Sequence, residues 1–471
     1  MPDLLTLSNE ILYEIIAAVG ADDIEAFAAS CPRMNLLSAP TVVRHRQLLK
    51  QYATIEFGDC GEIQGKHPLY MLRDVLRNSR IAQYPHLLRI GDWMDVDAWM
   101  PGYDDEMIEG IQMERDKVRE EADSIKDLIT AIIIECRFLG ERETDGWVER
   151  LLDGQEHEAI AILLTLLPNL EMIQTERPMP HAFYHMATQV ATAFNYPDGP
   201  KPLALAKLSK VQISPCADDD MMSDGIHEDA GVIAPFAALP SVRTISASLL
   251  RSGGHYDGTS QWPYGVGSSN VTELDLDRSM IIDTGLPDLL SGIKSLERFT
   301  YSLGGYLVDY HTYQPRSTIA ALGRYAAHSL KYLHITGCWI GMRTDEDRQI
   351  DCDLKVFSLL KELRVDYTLF NNVLKACPST CNQDFRDCLC HPQRLIDRLP
   401  PSIKKVKLEG KMSLEVSPAI LSGLRELGKE RLPNLRSLET EGSAASKRYN
   451  NSACKAVGVM LSKGEERRRY E

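Results

Sequence analysis

Large aliphatic and polar residues alternate at helical spacing near the start of the chain. Five aliphatic residues recur at steps of one, three and four: Ile11, Leu12, Ile15, Ile16 and Val19. This spacing predicts one helix with a broad apolar face. Ser8 is positioned to cap its start, Glu10 suits the positive end of its dipole, and Gly20 ends it.

Two further helical stretches follow this first helix. Asp22 and Glu25 resemble an acidic capping box that opens a short second helix, which Pro32 closes. A third apolar stretch is broken by Pro40 and runs into basic residues at 44–46. Three helices of about 45 residues bury little surface on their own. We therefore expect part of their aliphatic surface to dock onto another protein.

Charged and aliphatic residues also follow helical spacing from residue 104 to residue 139. The stretch MERDKVREEADSIKD forms the charged face, and the aliphatic residues lie opposite it. The pattern predicts one long helix or two stacked ones, within a helical linker over residues 51–150.

A six-residue pattern, LxxLxL, recurs through the rest of the chain. Its nine copies begin at Leu170, Leu208, Val242, Val271, Leu296, Leu330, Leu360, Ile403 and Leu435. Aliphatic, helix-like segments precede most copies, and one strand plus one helix per repeat is typical of leucine-rich-repeat solenoids. The predicted fold class is α/β, an irregular solenoid with parallel strands over residues 151–445, followed by a tail at 446–471. An ordinary α/β domain without stacked repeats is the alternative.

Alternate residues of these strands should point away from the solenoid core. They include Glu273, Asp275, Asp277, His334, Thr336, Arg364 and Asp366. These side chains are candidates for reading a target, or they are ordinary solvated positions.

Charge and composition narrow the class of partner and compartment. The 471 residues carry a formal net charge of -15. This negative charge would repel nucleic acid or an anionic membrane, so neither is expected as a partner. Eleven cysteines are too sparse for a disulfide scaffold. The first residues supply no basic segment of a signal peptide, and the longest aliphatic run is too short to span a bilayer. We expect a cytoplasmic or nuclear protein.

One cysteine cluster is a candidate metal site. Cys377, Cys381, Cys388, Cys390 and His391 offer zinc ligands, although their spacing is not that of a standard zinc finger. An insertion loop with incidental cysteines is the other interpretation, and we predict no cofactor.

No other motif indicates an active site. His181 and His185 lie one helical turn apart but lack a glutamate between them, and the acidic stretch at 216–231 does not follow EF-hand order. Neither a Walker loop nor a GxSxG elbow occurs, so we expect no enzyme activity.

The N-terminal residues resemble the F-box motif. The match comprises Leu4-x-x-Leu7-Ser8-x-Glu10-Ile11, then Ile15, Asp23-Ile24-x-x-Phe27 and Cys31, with Ser8 where the family usually has proline. HPLYMLRDVLRNSRIAQYPHLLRIGDW also resembles the segment after the box in fungal-type members. The resemblance implies that residues 1–50 bind a Skp-type adaptor and, through it, a cullin–RING ubiquitin ligase. The implied adaptor-binding residues are Leu4, Leu7, Ser8, Glu10, Ile11, Ile15, Phe27 and Cys31.

The resemblance and the repeats together predict a substrate-recognition subunit of a Skp–cullin–F-box E3 ubiquitin ligase. Its repeats are expected to bind a protein target. A non-ligase repeat scaffold, whose N-terminal helices only cap the solenoid, is the alternative. A metalloprotein built around the cysteine cluster is a third.

Overall fold

The chain folds into two units of mixed helix and strand, Met1–Cys216 and Ala217–Glu471. A computed structural model describes residues 6–60, 63–64, 67–91, 105–136, 138, 141–176, 181–196, 201–214, 228–251, 262–281, 285–303, 315–337, 353–370, 394–412 and 420–442. In those ranges, none of the helices combines the length and apolar composition needed to cross a bilayer.

The first unit opens with helices α1 (Asn9–Ala18), α2 (Ile24–Ala29) and α3 (Pro32–Tyr52). The prediction that the third helix breaks at Pro40 is wrong. Helix α3 is 21 residues long and continues through this proline. Proline removes one helical hydrogen bond, but buried residues on both sides of it, Leu37 and His45, pack the helix along its length. Pro32 lies at the first turn of α3, where a missing N–H costs little.

A parallel sheet of four strands follows in the first unit, in the order β1 (Thr54–Phe57), β4 (Leu87–Ile90), β5 (Met172–Thr175) and β6 (Lys210–Ile213). The register aligns four buried aliphatic residues, Ile55, Leu88, Ile173 and Val211. Short antiparallel strands β2 (Asp59–Cys60) and β3 (Ile63–Gln64) lie between β1 and β4 in the chain. Strands β1 and β4 fall inside the segment expected to be a helical linker.

Helices α4 to α9 complete the first unit. They are α4 (Pro68–Arg77), α5 (Asp105–Ser124), α6 (Lys126–Glu135), α7 (Glu141–Leu152), α8 (Glu156–Leu166) and α9 (His181–Asn195), with a 3-10 turn at Ser79–Gln83. The helical stretch expected over 104–139 forms two helices, α5 and α6, which meet at Ile125. The proposed domain boundaries remain predictions.

The second unit contains a parallel sheet of seven strands. In spatial order these are β8 (Thr244–Ser248), β10 (Glu273–Ser279), β11 (Arg298–Leu303), β12 (Tyr332–Thr336), β13 (Glu362–Asp366), β14 (Lys405–Met412) and β15 (Ser437–Gly442). Strands β7 (Glu228–Asp229) and β9 (Leu250–Arg251) form a separate parallel pair. Helices α10 (Ile233–Ala237), α11 (Gly285–Gly292), α12 (Pro315–Tyr325) and α13 (Leu424–Arg431) lie between strands, with 3-10 turns at Ala230–Val232, Leu354–Val356, Tyr367–Phe370 and Leu395–Asp397.

The register of this sheet aligns equivalent residues of the LxxLxL pattern. One buried row comprises Ile245, Leu274, Phe299, Leu333, Leu363, Val406 and Leu438. A second buried row lies two residues further along each strand, and it includes Leu276, Tyr301, Ile335, Val365 and Leu408. Each row is a continuous apolar layer that no single strand could form alone. Both units are thus mixed α/β with parallel strands, as an α/β solenoid requires.

Candidate functional site

The three N-terminal helices have a hydrophobic core of their own. Leu12, Ile16, Ile24, Met34 and Leu37 are buried together. Leu7, Ile15, Val19, Phe27, Cys31 and Val42 pack partly buried against them. The N-terminal module, residues 6–52, therefore uses part of its apolar surface internally.

The start of α1 is held by an arginine rather than by the expected serine cap. Ser8 lies at the N-cap position, but its side chain makes no capping hydrogen bond. Nη2 of Arg33, on α3, donates to the Leu7 carbonyl at 2.9 Å and to Asn9 Oδ1 at 2.8 Å. The pKa of the exposed Glu10 carboxyl lies below its usual range because its own backbone N–H and then the Ser8 hydroxyl bond to it.

The expected capping box of α2 is also absent. Asp23 occupies the N-cap position without a side-chain capping bond. Asp22 instead binds Lys207 Nζ at 2.8 Å, and Glu25 binds Arg46 Nε at 2.7 Å. These acidic residues therefore tie α2 to other elements of the first unit.

An apolar outer surface remains on α1 and α3. Ile11 is 44% exposed, Leu36 is 76% exposed and Val43 is 57% exposed. Leu36 and Val43 are seven residues apart, so they share one face of α3, opposite the buried Met34 and His45. We call Ile11, Leu36 and Val43 the outer apolar surface. Sequence reasoning missed Leu36 and Val43 because it expected α3 to break between them.

The predicted adaptor-binding residues divide into exposed and packed side chains. Ser8, Glu10 and Ile11 are exposed, whereas Leu7, Ile15, Phe27 and Cys31 are partly buried against the module core. The Cys31 thiol also caps α3, accepting a hydrogen bond from Met34 N–H at 3.4 Å. Leu4 lies outside the described residues.

Several polar contacts fasten this module to the segment before β4. Arg80 Nη1 donates to the Ala17 carbonyl at 3.0 Å, and Ala21 N–H donates to Gln83 Oε1 at 3.0 Å. His45 is buried against Tyr84, with 3.4 Å between Nδ1 and the hydroxyl oxygen. Burial holds the pKa of His45 below its usual range, Glu25 and Asp22 oppose that shift, and Arg80 and Arg46 add to it.

The sheet of the second unit presents a second candidate surface, formed by alternate residues of its strands. Many charges there are paired across strands. Lys405 Nζ lies 3.1 Å from Glu362 Oε1, Arg364 binds the Glu409 carboxylate, and the Arg298 guanidinium lies 4.2 Å from the centre of the Tyr332 ring. The charges of Lys405, Glu362, Arg364 and Glu409 are therefore paired locally.

Burial affects two of the residues that were expected to face outward, Asp366 and Asp275. Asp366 is buried, which corrects the expectation that it lies on the open face, because it ends β13 where the 3-10 turn at Tyr367–Phe370 begins. Asp275 is exposed, yet partial burial raises its pKa. The carboxylate of Asp277 adds to this rise, and Arg298 opposes it.

The predicted metal ligands Cys377, Cys381, Cys388, Cys390 and His391 lie outside the described residues, as does most of the acidic stretch at 216–231. Across the part of the chain that the structure covers, no group of three or more His, Cys, Asp or Glu side chains is arranged to hold a metal ion. His181 and His185 have parallel rings on α9, with centroids 6.3 Å apart.

Comparison with known proteins gives little beyond these observations. No protein-family model matches the chain, and no curated protein matches it. Among solved structures, a chain of the "Crystal structure of Rad7 and Elc1 complex in yeast" is similar at 12% identity. The match covers 77% of this chain and 98% of that chain, with a TM-score of 0.23.

Proposed function

We propose that this protein is the substrate-recognition subunit of a Skp–cullin–F-box type E3 ubiquitin ligase, found in the cytoplasm or nucleus. The N-terminal module binds a Skp-type adaptor, and the parallel sheet of the second unit binds a protein target. The protein itself forms and breaks no covalent bond. Its contribution to rate is proximity, because it raises the effective concentration of target lysines near the ubiquitin-charged enzyme.

The observation that carries this proposal is the outer apolar surface. A helical unit with its own buried core still exposes Ile11, Leu36 and Val43 to solvent. Leu36 and Val43 share one face of α3, and exposed aliphatic residues on a common face mark interaction surfaces in soluble proteins. Their position within an F-box-like sequence favours an adaptor as the partner that covers them. We expect a contact of about 1,600 Å² in which a few aliphatic anchors dominate the affinity.

Adaptor binding by purified protein tests the proposal. Ile11→Asp and Leu36→Asp place a charge in the contact, and each should weaken binding by at least about thirtyfold, or about 2 kcal/mol. Leu203→Asp is the matched control, because Leu203 is as exposed as Leu36 and belongs to the same unit but lies outside the module. Circular dichroism should show all three variants folded. If both module variants bind the adaptor as tightly as the control does, the proposed interface is wrong.

A capping role for the module is the second candidate. It is favoured by the hydrogen bonds that Arg80 donates to the Ala17 carbonyl and that Ala21 N–H donates to Gln83. A module that only caps the sheet would be needed for folding and would bind no adaptor. Deletion of residues 1–50 separates the two functions. Loss of the cooperative unfolding transition, together with absent adaptor binding by the full chain, would establish the cap.

A further inference from the structure

A cavity in the first unit lies between helices α7, α8 and α9. Its volume is about 530 Å³, within the range of small-molecule sites. Its polar lining comprises Arg150 on α7, His157 and Glu158 on α8, and His181 and His185 on α9, with the Trp147 indole beside them. The adaptor and target surfaces do not use any of these residues.

The Arg150 guanidinium is held in place on two sides. Its Nε donates to Glu158 Oε1 at 2.5 Å, and Glu158 is buried. Its guanidinium carbon lies 5.8 Å from the centre of the Trp147 ring, at the range of a cation–π contact. The side chain is thus oriented before any ligand binds, which lowers the entropy cost of binding.

The other end of the guanidinium remains available. Within the part of the chain that the structure describes, Nη1 and Nη2 of Arg150 have no hydrogen-bond partner, and the side chain is 45% exposed. Gly146 leaves room for it, because a Cβ at that position would lie 3.2 Å from Nη1. Two parallel N–H donors of this kind match the two oxygens of a carboxylate or a phosphate.

The remaining polar groups of the lining also suit an anion. An imidazole donates an N–H from one nitrogen when neutral and from both when protonated, so His181 adds a donor to the space that His157 and His185 also line. Glu158 Oε1 accepts from Arg150 Nε, so the carboxylate charge is paired with the guanidinium. Trp147 and Ala182 supply apolar surface for the rest of a ligand.

We propose that this cavity binds a small organic oxyanion, a carboxylate or a phosphate monoester, through the two Nη groups of Arg150. The bound oxygens accept from Nη1 and Nη2, while the His181 imidazole donates to a remaining lone pair. This site is independent of the proposed adaptor contact, so either can fail without the other.

The experiment measures binding of benzoate, phenyl phosphate and benzylammonium to the full chain by ligand-detected NMR titration. Wild-type protein should bind one or both acids saturably at millimolar concentration, and the two acids distinguish a carboxylate site from a phosphate site. Benzylammonium reverses the charge and should not bind. Saturable binding of benzylammonium in preference to both acids would assign the cavity to Glu158 and overturn the proposal.

Variants test the role of the arginine. Arg150→Lys keeps the charge but loses the paired donors, so the affinity for the acid should fall at least about tenfold. Removing Arg150 alone leaves a buried carboxylate unpaired, so the double variant Arg150→Met with Glu158→Gln is the fold-preserving knockout. Arg77→Lys, on α4, is the control and should bind as the wild type does. Absence of saturable binding to either acid, or equal binding by the double variant, refutes the site.

Discussion

The N-terminal module and the sheet of the second unit differ in how completely they bury their leucine residues. On β12 and β13, Leu333 and Leu363 are almost completely buried, whereas on α3 Leu36 is mostly exposed. In the sheet, each strand has an equivalent strand beside it, so Leu333 and Leu363 continue the same apolar row. In the module, three helices enclose one small core and leave the outer face of α3 uncovered. Repetition therefore buries apolar residues completely, and a short helical unit does not.

The largest expected effect contrasts two leucines. Leu333→Ala removes a side chain from the buried row of the sheet, so it should lower the free energy of unfolding by about 2–5 kcal/mol. Leu36→Ala should change it by less than about 0.5 kcal/mol, because this side chain is already exposed. Urea denaturation of both variants measures the difference. Equal destabilisation would mean that Leu36 is covered within the folded chain.

A smaller effect is expected from a buried hydroxyl in the same sheet. Tyr301 Oη donates to the Ser279 carbonyl at 2.8 Å and accepts from Ile281 N–H at 3.1 Å. Tyr301→Phe leaves both backbone groups without this partner, so stability should fall by about 1–3 kcal/mol. Tyr332→Phe is the matched control, because its hydroxyl makes no hydrogen bond within the described ranges. A loss of the same size in both variants would contradict the assigned bonds.

A pH effect is expected in the module. Burial lowers the pKa of His45 in the folded state, so between the unfolded and the folded pKa the unfolded chain binds the extra proton. Stability is therefore full above about pH 6.5, the unfolded value, and is lost as the pH falls toward the folded pKa. His45→Phe should reduce this loss. Urea denaturation at several pH values tests it, and an unchanged slope in the variant would rule His45 out as the source.

The smallest effect concerns Asp275, whose folded pKa is raised. Ionisation of Asp275 therefore destabilises the folded state. This destabilisation is fully present above the folded pKa and disappears below about pH 3.9, the unfolded pKa. Asp275→Asn should therefore stabilise the sheet slightly at neutral pH, by less than about 1 kcal/mol for so exposed a group. The gain should shrink in acid. A variant that is less stable than wild type at pH 7 would show that the carboxylate makes a favourable contact.

The parallel strands that carry the LxxLxL pattern are the most predictable part of the fold. All nine segments that carry LxxLxL form parallel strands, because each contributes at least one inward apolar residue to a row that only a neighbouring strand can continue. Strands β1 and β4 were not predicted, because Tyr52 and Pro85 stand where the LxxLxL pattern has its first aliphatic residue. Their remaining inward residues, such as Ile55 and Leu88, follow the same rule as the other strands.

The candidate site was less predictable. Ile11, which the F-box resemblance included among the predicted contact residues, is exposed, but its contact with an adaptor stays a prediction. Local rules failed at Pro40, Ser8 and Asp22. At each position a tertiary partner or a packed helix face outweighed the intrinsic preference of the residue. Arg150 and its cavity depend on three helices meeting, which no local pattern of residues encodes.

Helix α3 and strand β1 are separated by Ala53 alone. The Ala53 carbonyl accepts from both His86 N–H at 2.9 Å and Leu87 N–H at 3.1 Å, so this residue is fixed at the entrance to β4. The chain consequently has no slack between the module and the first two strands. A subunit that clamps α3 and tilts it would move β1 along with the helix, so a mechanical load applied to the helices would reach the sheet directly.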